Sequence, residues 1–231
     1  MCLKVIKSDL KKELPTGFGK LLMHSSDEKN SIKSYKEFNS LISMNEVFIN
    51  PGSGILPYEI KNIFKLVIPL QGVCAERLNN QDSTQVSVGE VQMIKYPDVA
   101  FKMEYNPNNE KALNYLILEF DYKRSNSKYK SEIFNLEYKS QNFNKILSAP
   151  IDEDENTTIT LKAGNFKKDA VDDLVTNNNA KARIVYVING SISLTNTDKI
   201  LAKSDSIFYS KKKQLGFKAQ EDSNLLMIEI S

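Results

Sequence analysis

The stretch FKLVIPLQGVCAERLNN (64–80) decides the fold, because the chain carries it twice. An apolar, β-branched run ends in a turn glycine, Gly72, and a second strand-like run, VCAERL (73–78), follows at once. The same order returns in ARIVYVINGSISLTNTD (182–198), where Gly190 matches Gly72. The echo continues downstream, with VGEVQMI (88–94) answered by KSDSIFY (203–209) and NEKALNYLILEF (109–120) by EDSNLLMIEI (221–230). A turn, a strand, a second turn and a closing strand repeated in one order point to two copies of one β-unit.

Working outward, strand signals dominate both copies. NEVFI (45–49), EVQMI (90–94), AFKMEY (100–105) and NYLILEF (114–120) are rich in β-branched and aromatic residues, and PGSG, NNQDST and NPNNEK separate such runs with turn formers. The second half repeats the pattern in TITLKA (158–163), DSIFYS (205–210), GFKAQ (216–220) and NLLMIEI (224–230). The expected fold is all-β and mainly antiparallel: two tandem small β-barrels of jelly-roll type. Residues 122–146 are polar, lysine-rich and weakly periodic, and read as a linker with a short helical turn. This places an N-terminal domain with its linker at 1–142 and a C-terminal domain at 143–231.

Upstream of the repeat, LPYEIKNIFKLVIPLQG (56–72) reads as one strand, with alternate residues from Tyr58 to Leu70 forming an apolar face and Glu59, Lys61 and Lys65 on the other. Bulk properties narrow the function by exclusion. The 231 residues are 41% hydrophobic and 26% charged, an ordinary globular composition. With 31 Lys and Arg against 29 Asp and Glu, the net charge of +2 is too small for the field that nucleic-acid binding relies on, and no direct nucleic-acid partner is expected. Lys4, Lys7 and Asp9 interrupt the N-terminal stretch, and no run reaches the length of a membrane span, so a soluble, unexported protein is expected. Cys2 and Cys74 have neither disulfide-framework nor zinc-ligand spacing, which suits a reducing cytoplasm.

Several local patterns read as structural. IDEDENTT (151–158) lacks the central glycine and ligand spacing of a calcium loop and reads as a solvated turn. Lys211 to Lys213 reads as a solvated edge, GFGK (17–20) has the wrong spacing for a phosphate loop, and Cys74 reads as a buried, inert thiol. Tyr96 and Pro97 are expected at a turn near the mouth of the first barrel.

The segment from Leu56 to Pro107 resembles the N-terminal half of the pirin family, which are bicupins. The likeness rests on the turn at Gly72, on GEVQMI (89–94) and on KMEYNP (102–107), all at family spacing, and extends more weakly over the whole chain. Metal-binding pirins draw two ligands from an H-P-H motif on the strand entering the barrel and two from H-x-E on a later strand. By position, the resemblance places these on Tyr58 and Ile60, and on Lys102 and Glu104. Only the carboxylate is kept. Isoleucine has no donor, and a lysine ammonium repels a cation until it loses a proton, which is costly from its ordinary value of about 10.4. The sole histidine, His24, lies outside the motif.

Lys102 and Glu104 are two apart on a strand and share a face. If that face is the barrel interior, an ammonium and a carboxylate meet where the family holds its ion, with the Tyr58 hydroxyl beside them. The expectation is a pirin-like bicupin without metal or other cofactor, binding a small molecule or a partner protein in its N-terminal barrel. The alternatives are a metal-independent enzyme using Lys102, Glu104 and Tyr58, or a residual quercetin 2,3-dioxygenase-like activity. Metal-dependent dioxygenase activity is not expected, and no catalytic residue is assigned. The second copy, with no histidine on either corresponding strand, reads as structural.

Overall fold

The computed structural model covers the whole chain and describes residues 3–24, 35–79, 83–96, 98–123, 128–152, 156–174, 179–195, 197–210 and 215–231. Its strands form two large sheets and two small ones. The first large sheet runs, in spatial order, β12 (Lys130–Asn135), β9 (Glu90–Tyr96), β6 (Ile63–Gln71), β11 (Leu113–Asp121), β4 (Leu41–Ile49), β3 (Gly19–Met23) and β2 (Lys12–Thr16). A four-stranded sheet of β5 (Gly54–Ile60), β10 (Ala100–Tyr105), β7 (Val73–Leu78) and β8 (Thr84–Ser87) completes the first barrel. In the second half, β1 (Leu3–Ile6), β20 (Ser206–Ser210), β17 (Ala182–Asn189), β22 (Ser223–Ile230) and β15 (Thr157–Phe166) form the large sheet, with β13 (Lys139–Ser140) and β14 (Asn144–Asp152) both pairing β15. Its small sheet is β16 (Val171–Asp173), β21 (Gly216–Ala219), β18 (Ser191–Leu194) and β19 (Ile200–Ala202).

The repeat is realised in space. β6 and β7 turn through Gly72 at φ +82°, and β17 and β18 turn through Gly190 at φ +79°, left-handed values that a side chain disfavours. β11 follows β6 as β22 follows β17, so that Lys65 faces Glu119 and Arg183 faces Glu229 at matching positions.

Alternation along each central strand divides three cores. Leu66, Ile68, Leu118 and Phe120 meet Ile184, Phe208, Leu226 and Ile228 in one cluster between the two large sheets. The intervening residues point the other way: Val67, Ile94, Tyr115 and Ile117 into the first barrel, and Val185, Val187, Phe217 and Met227 into the second. Phe143, Phe166 and Phe217 fill the second barrel with ring centroids about 5 Å apart, at 5.1 and 4.8 Å.

Two expectations are corrected. The linker holds no helix among its described residues; Lys130–Asn135 instead extends the first large sheet as β12, because Ile133 and Phe134 favour an extended edge paired to Gln92 and Val91. The stretch 56–72 is two strands, not one. Asn62, at φ +54°, breaks it in the left-handed region that asparagine tolerates, and the alternation restarts one residue out of phase. Tyr58 and Ile60 face the first barrel before the break; after it Ile63, Lys65 and Val67 do. Pairing also crosses residue 142, since β1 joins β20 and β13 joins β15.

At the seam between the halves a polar tie closes the interface. Glu46 on β4 accepts from Lys11 Nζ and pairs with His24 Nε2 at 3.1 Å, while His24 Nδ1 lies 3.0 Å from Ser206 Oγ on β20. Lys11 Nζ donates onward to the Ser204 carbonyl at 2.5 Å. Burial holds the imidazole neutral down to about pH 4, outweighing the favourable Glu46 contact. Although this is the acid, imidazole, hydroxyl order of a hydrolytic triad, all three side chains are fully buried and serve the seam.

Candidate functional site

Antiparallel pairing of β5 with β10 sets Lys102 opposite Tyr58 and Ala100 opposite Ile60, with a bulge between Lys102 and Glu104. All four residues named from the sequence, Tyr58, Ile60, Lys102 and Glu104, therefore stand on the inner side of the first barrel. Ile60 belongs to its apolar lining. The other three meet in a cluster of charges that the sequence did not disclose in full.

Glu104, 1% exposed, is the hub. Its Oε1 accepts from Lys65 Nζ at 2.6 Å and Lys102 Nζ at 3.1 Å, and its Oε2 from the Tyr115 hydroxyl at 3.2 Å and the Tyr58 hydroxyl at 3.5 Å. Lys102 also faces Glu76 at 3.8 Å and lies over the Tyr58 and Tyr96 rings, 5.1 and 5.6 Å from their centroids. Tyr96, expected at a turn, ends β9 with its hydroxyl donating to Glu76 at 2.9 Å; Pro97 lies outside the described residues. Glu119 stands 3.9 Å from Lys65 and accepts from Ser43.

The electrostatics follow from these distances. Burial alone would raise the Glu104 carboxyl, but Lys102 and Lys65 more than reverse this and hold it at about 2. Burial lowers Lys102, and the Lys65 charge adds to the lowering against the pull of Glu104. Lys65 sits closer to Glu104 and also faces Glu119, so these carboxylates overcome its burial and keep it firmly protonated. The Tyr58, Tyr96 and Tyr115 hydroxyls are all pushed up by burial and act as donors. Burial likewise raises the thiol of Cys74, an unpaired buried cysteine.

Lys65, Glu76, Tyr115 and Glu119 were not singled out in the sequence, and Tyr96 was singled out only as a turn residue near the barrel mouth. The repeat contained a signal for one of them, because Lys65 aligns with Arg183, whose Nε lies 3.2 Å from Glu229 inside the second barrel. A cation at the same place in both copies marks an inward position.

A cavity of about 840 Å³ opens onto this hub between β2, β3, β4, β5 and β11. Phe18, Leu21, Val47, Ile55 and Ile117 make its apolar walls; Tyr58, Glu104, Tyr115 and Glu119 supply polar groups. Thr16 Oγ1 and Asn45 Oδ1, on two lining residues, are shielded from solvent and have no hydrogen-bond partner among the described residues. Lys102 does not line this cavity; its ammonium stands behind Glu104.

No family model and no curated protein matches the chain by sequence. Solved structures do match by shape. YhhW from Escherichia coli superposes with a TM-score of 0.82 at 18% identity, covering 99% of this chain and 97% of that one. A second structure, of the bacterial pirin YhhW from the same organism in complex with nickel(II), gives the same score and identity, covering 99% and 98%. The chain has the pirin fold.

A quercetin 2,3-dioxygenase from Acinetobacter baumannii also superposes on this pirin fold, at 0.70 and 9% identity over 98% of this chain and 78% of that one. At such identities the likeness speaks for the bicupin fold alone. The four residues assigned from the resemblance do not fit an ion: Ile60 has no donor, and the Glu104 carboxylate is engaged by two ammoniums and two phenols. Among the described residues, no three His, Cys, Asp or Glu side chains are grouped to hold a metal ion. Nor, among those residues, is any helix long and apolar enough to cross a membrane.

Proposed function

We propose that the protein is a metal-free pirin-like bicupin whose first barrel binds a small organic molecule. The observation that carries this reading is the 840 Å³ cavity with apolar walls and a few convergent polar groups, the usual form of a small-molecule site. At its base the Lys65 and Lys102 ammoniums supply positive charge to Glu104, the role that a cation has in the metal-binding relatives. Binding is a better account than catalysis by Lys102, because that residue does not line the cavity and its amine is engaged by Glu104, even though burial and the Lys65 charge lower its pKa. The buried free thiol of Cys74 suits a reducing, cytoplasmic setting.

The test is a fragment screen by ligand-observed NMR on the full chain, repeated with Leu21→Trp, which places an indole in the cavity from a half-buried position on β3. Fragments should bind the native protein and lose binding in the variant, whose unfolding transition stays intact. Fragments that bind both proteins equally would place the site elsewhere. A screen without binders would reject the small-molecule reading and turn attention to a protein partner.

A further inference from the structure

The chemical class of the ligand can be read from the charges around the cavity. Two ammoniums, Lys65 and Lys102, share the barrel interior with three carboxylates, Glu76, Glu104 and Glu119, leaving one carboxylate in excess. The three acids are not equally neutralised. Glu104 receives both lysines within 3.1 Å, whereas Glu76 has the neutral Tyr96 hydroxyl, with Lys102 at 3.8 Å and turned toward Glu104. Glu119 has only the neutral Ser43 hydroxyl in direct contact, with Lys65 at 3.9 Å and turned toward Glu104 at 2.6 Å. The excess charge thus falls on Glu76 and Glu119, of which Glu119 lines the cavity, and its side chain, 21% exposed, is more accessible than that of Glu104.

The neighbouring polar group points to the same chemistry. Strand register places Asn45 opposite Ile117 on β4 and β11, one step along the same face from the Ser43 and Glu119 pair. Its Oδ1 is a shielded acceptor without a hydrogen-bond partner among the described residues. Among the described residues no lysine or arginine lines the cavity, whereas two carboxylates do. A molecule entering it meets apolar walls and, at the polar end, acceptors in need of donors and an excess negative charge.

We infer that the ligand is an organic monocation: a primary or secondary ammonium on an apolar body, its N–H groups donating to Glu119 and Asn45 while the body lies against Phe18, Leu21, Val47 and Ile55. Removing such a carboxylate from water without a counter-charge is costly, and the ammonium supplies that charge together with the missing donors. This rests on the small-molecule reading of the first barrel, and the experiment keeps the two apart.

Phenylbutylamine, phenylbutanol and phenylbutyrate share a phenyl group on a four-carbon chain, whose last carbon is the carboxyl carbon in the butyrate, and differ in the charge of the head group. Their binding to the full-length protein is measured at neutral pH by ligand-observed NMR, with Glu119→Gln as the variant. The amine should bind at least about tenfold more tightly than the alcohol, and the butyrate more weakly than both, tenfold being ~1.4 kcal/mol for one charge-assisted contact. Glu119→Gln should remove about that tenfold from the amine and leave the alcohol unchanged. Alcohol or butyrate binding as tightly as the amine, with loss of that binding in Leu21→Trp confirming the cavity, would overturn the cationic assignment and leave the small-molecule reading standing. Equal loss of amine and alcohol in Glu119→Gln would also overturn it. Absence of binding by all three, together with an empty fragment screen, would overturn both.

Discussion

Replacing Glu104 by Gln keeps the shape of the hub and removes its charge. Lys65 and Lys102 would then be left with Glu119 at 3.9 Å and Glu76 at 3.8 Å as their nearest carboxylates. Two arguments give the size of the loss. Glu104 is depressed from 4.5 to about 2, and at ~1.4 kcal/mol per unit this linkage is worth about 3 kcal/mol in a fully buried group. Breaking a buried ion pair by removing one partner independently costs about 3–5 kcal/mol. For a chain of this size the melting temperature should fall by roughly 10 °C, at about 2–4 °C per kcal/mol. Because the folded carboxyl is depressed, its contribution is complete above pH 4.5 and is lost as pH falls toward 2. Native and variant stabilities, measured by urea unfolding followed by circular dichroism, should therefore differ most at neutral pH and converge in acid. Lys102→Met added to Glu104→Gln should restore part of the loss, since it removes one orphaned ammonium. A Glu104→Gln protein within about 0.5 kcal/mol of native at neutral pH, the range of an ordinary surface change, would refute the buried hub.

Three further outcomes are expected. His24 is the chain's single histidine and is held at about 4 against an ordinary 6.5, so the unfolded chain takes up its proton first as pH falls through that interval; about 3 kcal/mol should be lost between pH 6.5 and 4, and His24→Gln should flatten this part of the pH profile of urea unfolding. Gly190→Ala should destabilise more than Gly72→Ala, since both pay the left-handed strain of about 1–2 kcal/mol but an added Cβ at Gly190 would meet Asp222 O at 2.4 Å and Ser223 Cα at 2.7 Å, against 3.3 Å to Ala112 O at Gly72; chemical denaturation ranks the two. In a Cys2→Ser protein the Cys74 thiol should react with a disulfide reagent only on unfolding, because burial raises its pKa and closes access.

Much of the fold was legible because its signals are local. Every strand read from the repeat, from NEVFI to NLLMIEI, overlaps an observed strand, and the turn glycines adopt the conformation that their lack of a side chain permits. Among the strands that escaped notice, Leu3–Ile6, Lys12–Thr16 and Lys130–Asn135 lie at sheet edges, where polar side chains are tolerated, and the first and last of them pair with partners distant in sequence. Lys65 was misplaced for another reason. A period-two pattern carries its phase only through unbroken strand, and the left-handed Asn62 resets it without disturbing the apolar composition on either side.

Residue type and spacing were enough to establish two copies of one β-unit, because alternation and turn chemistry act within a few residues of the chain, and the resemblance to the pirin family then brought Tyr58, Ile60, Lys102 and Glu104 to notice. The tertiary structure alone decided which charges share the barrel. Lys65, Glu76, Tyr96, Tyr115 and Glu119 come from four different strands, and their convergence on Glu104 and Lys102 is set by non-local pairing. Burial then makes that convergence matter, since inside the barrel a difference of an ångström in the reach of an ammonium determines which carboxylate is neutralised and which is left facing the cavity.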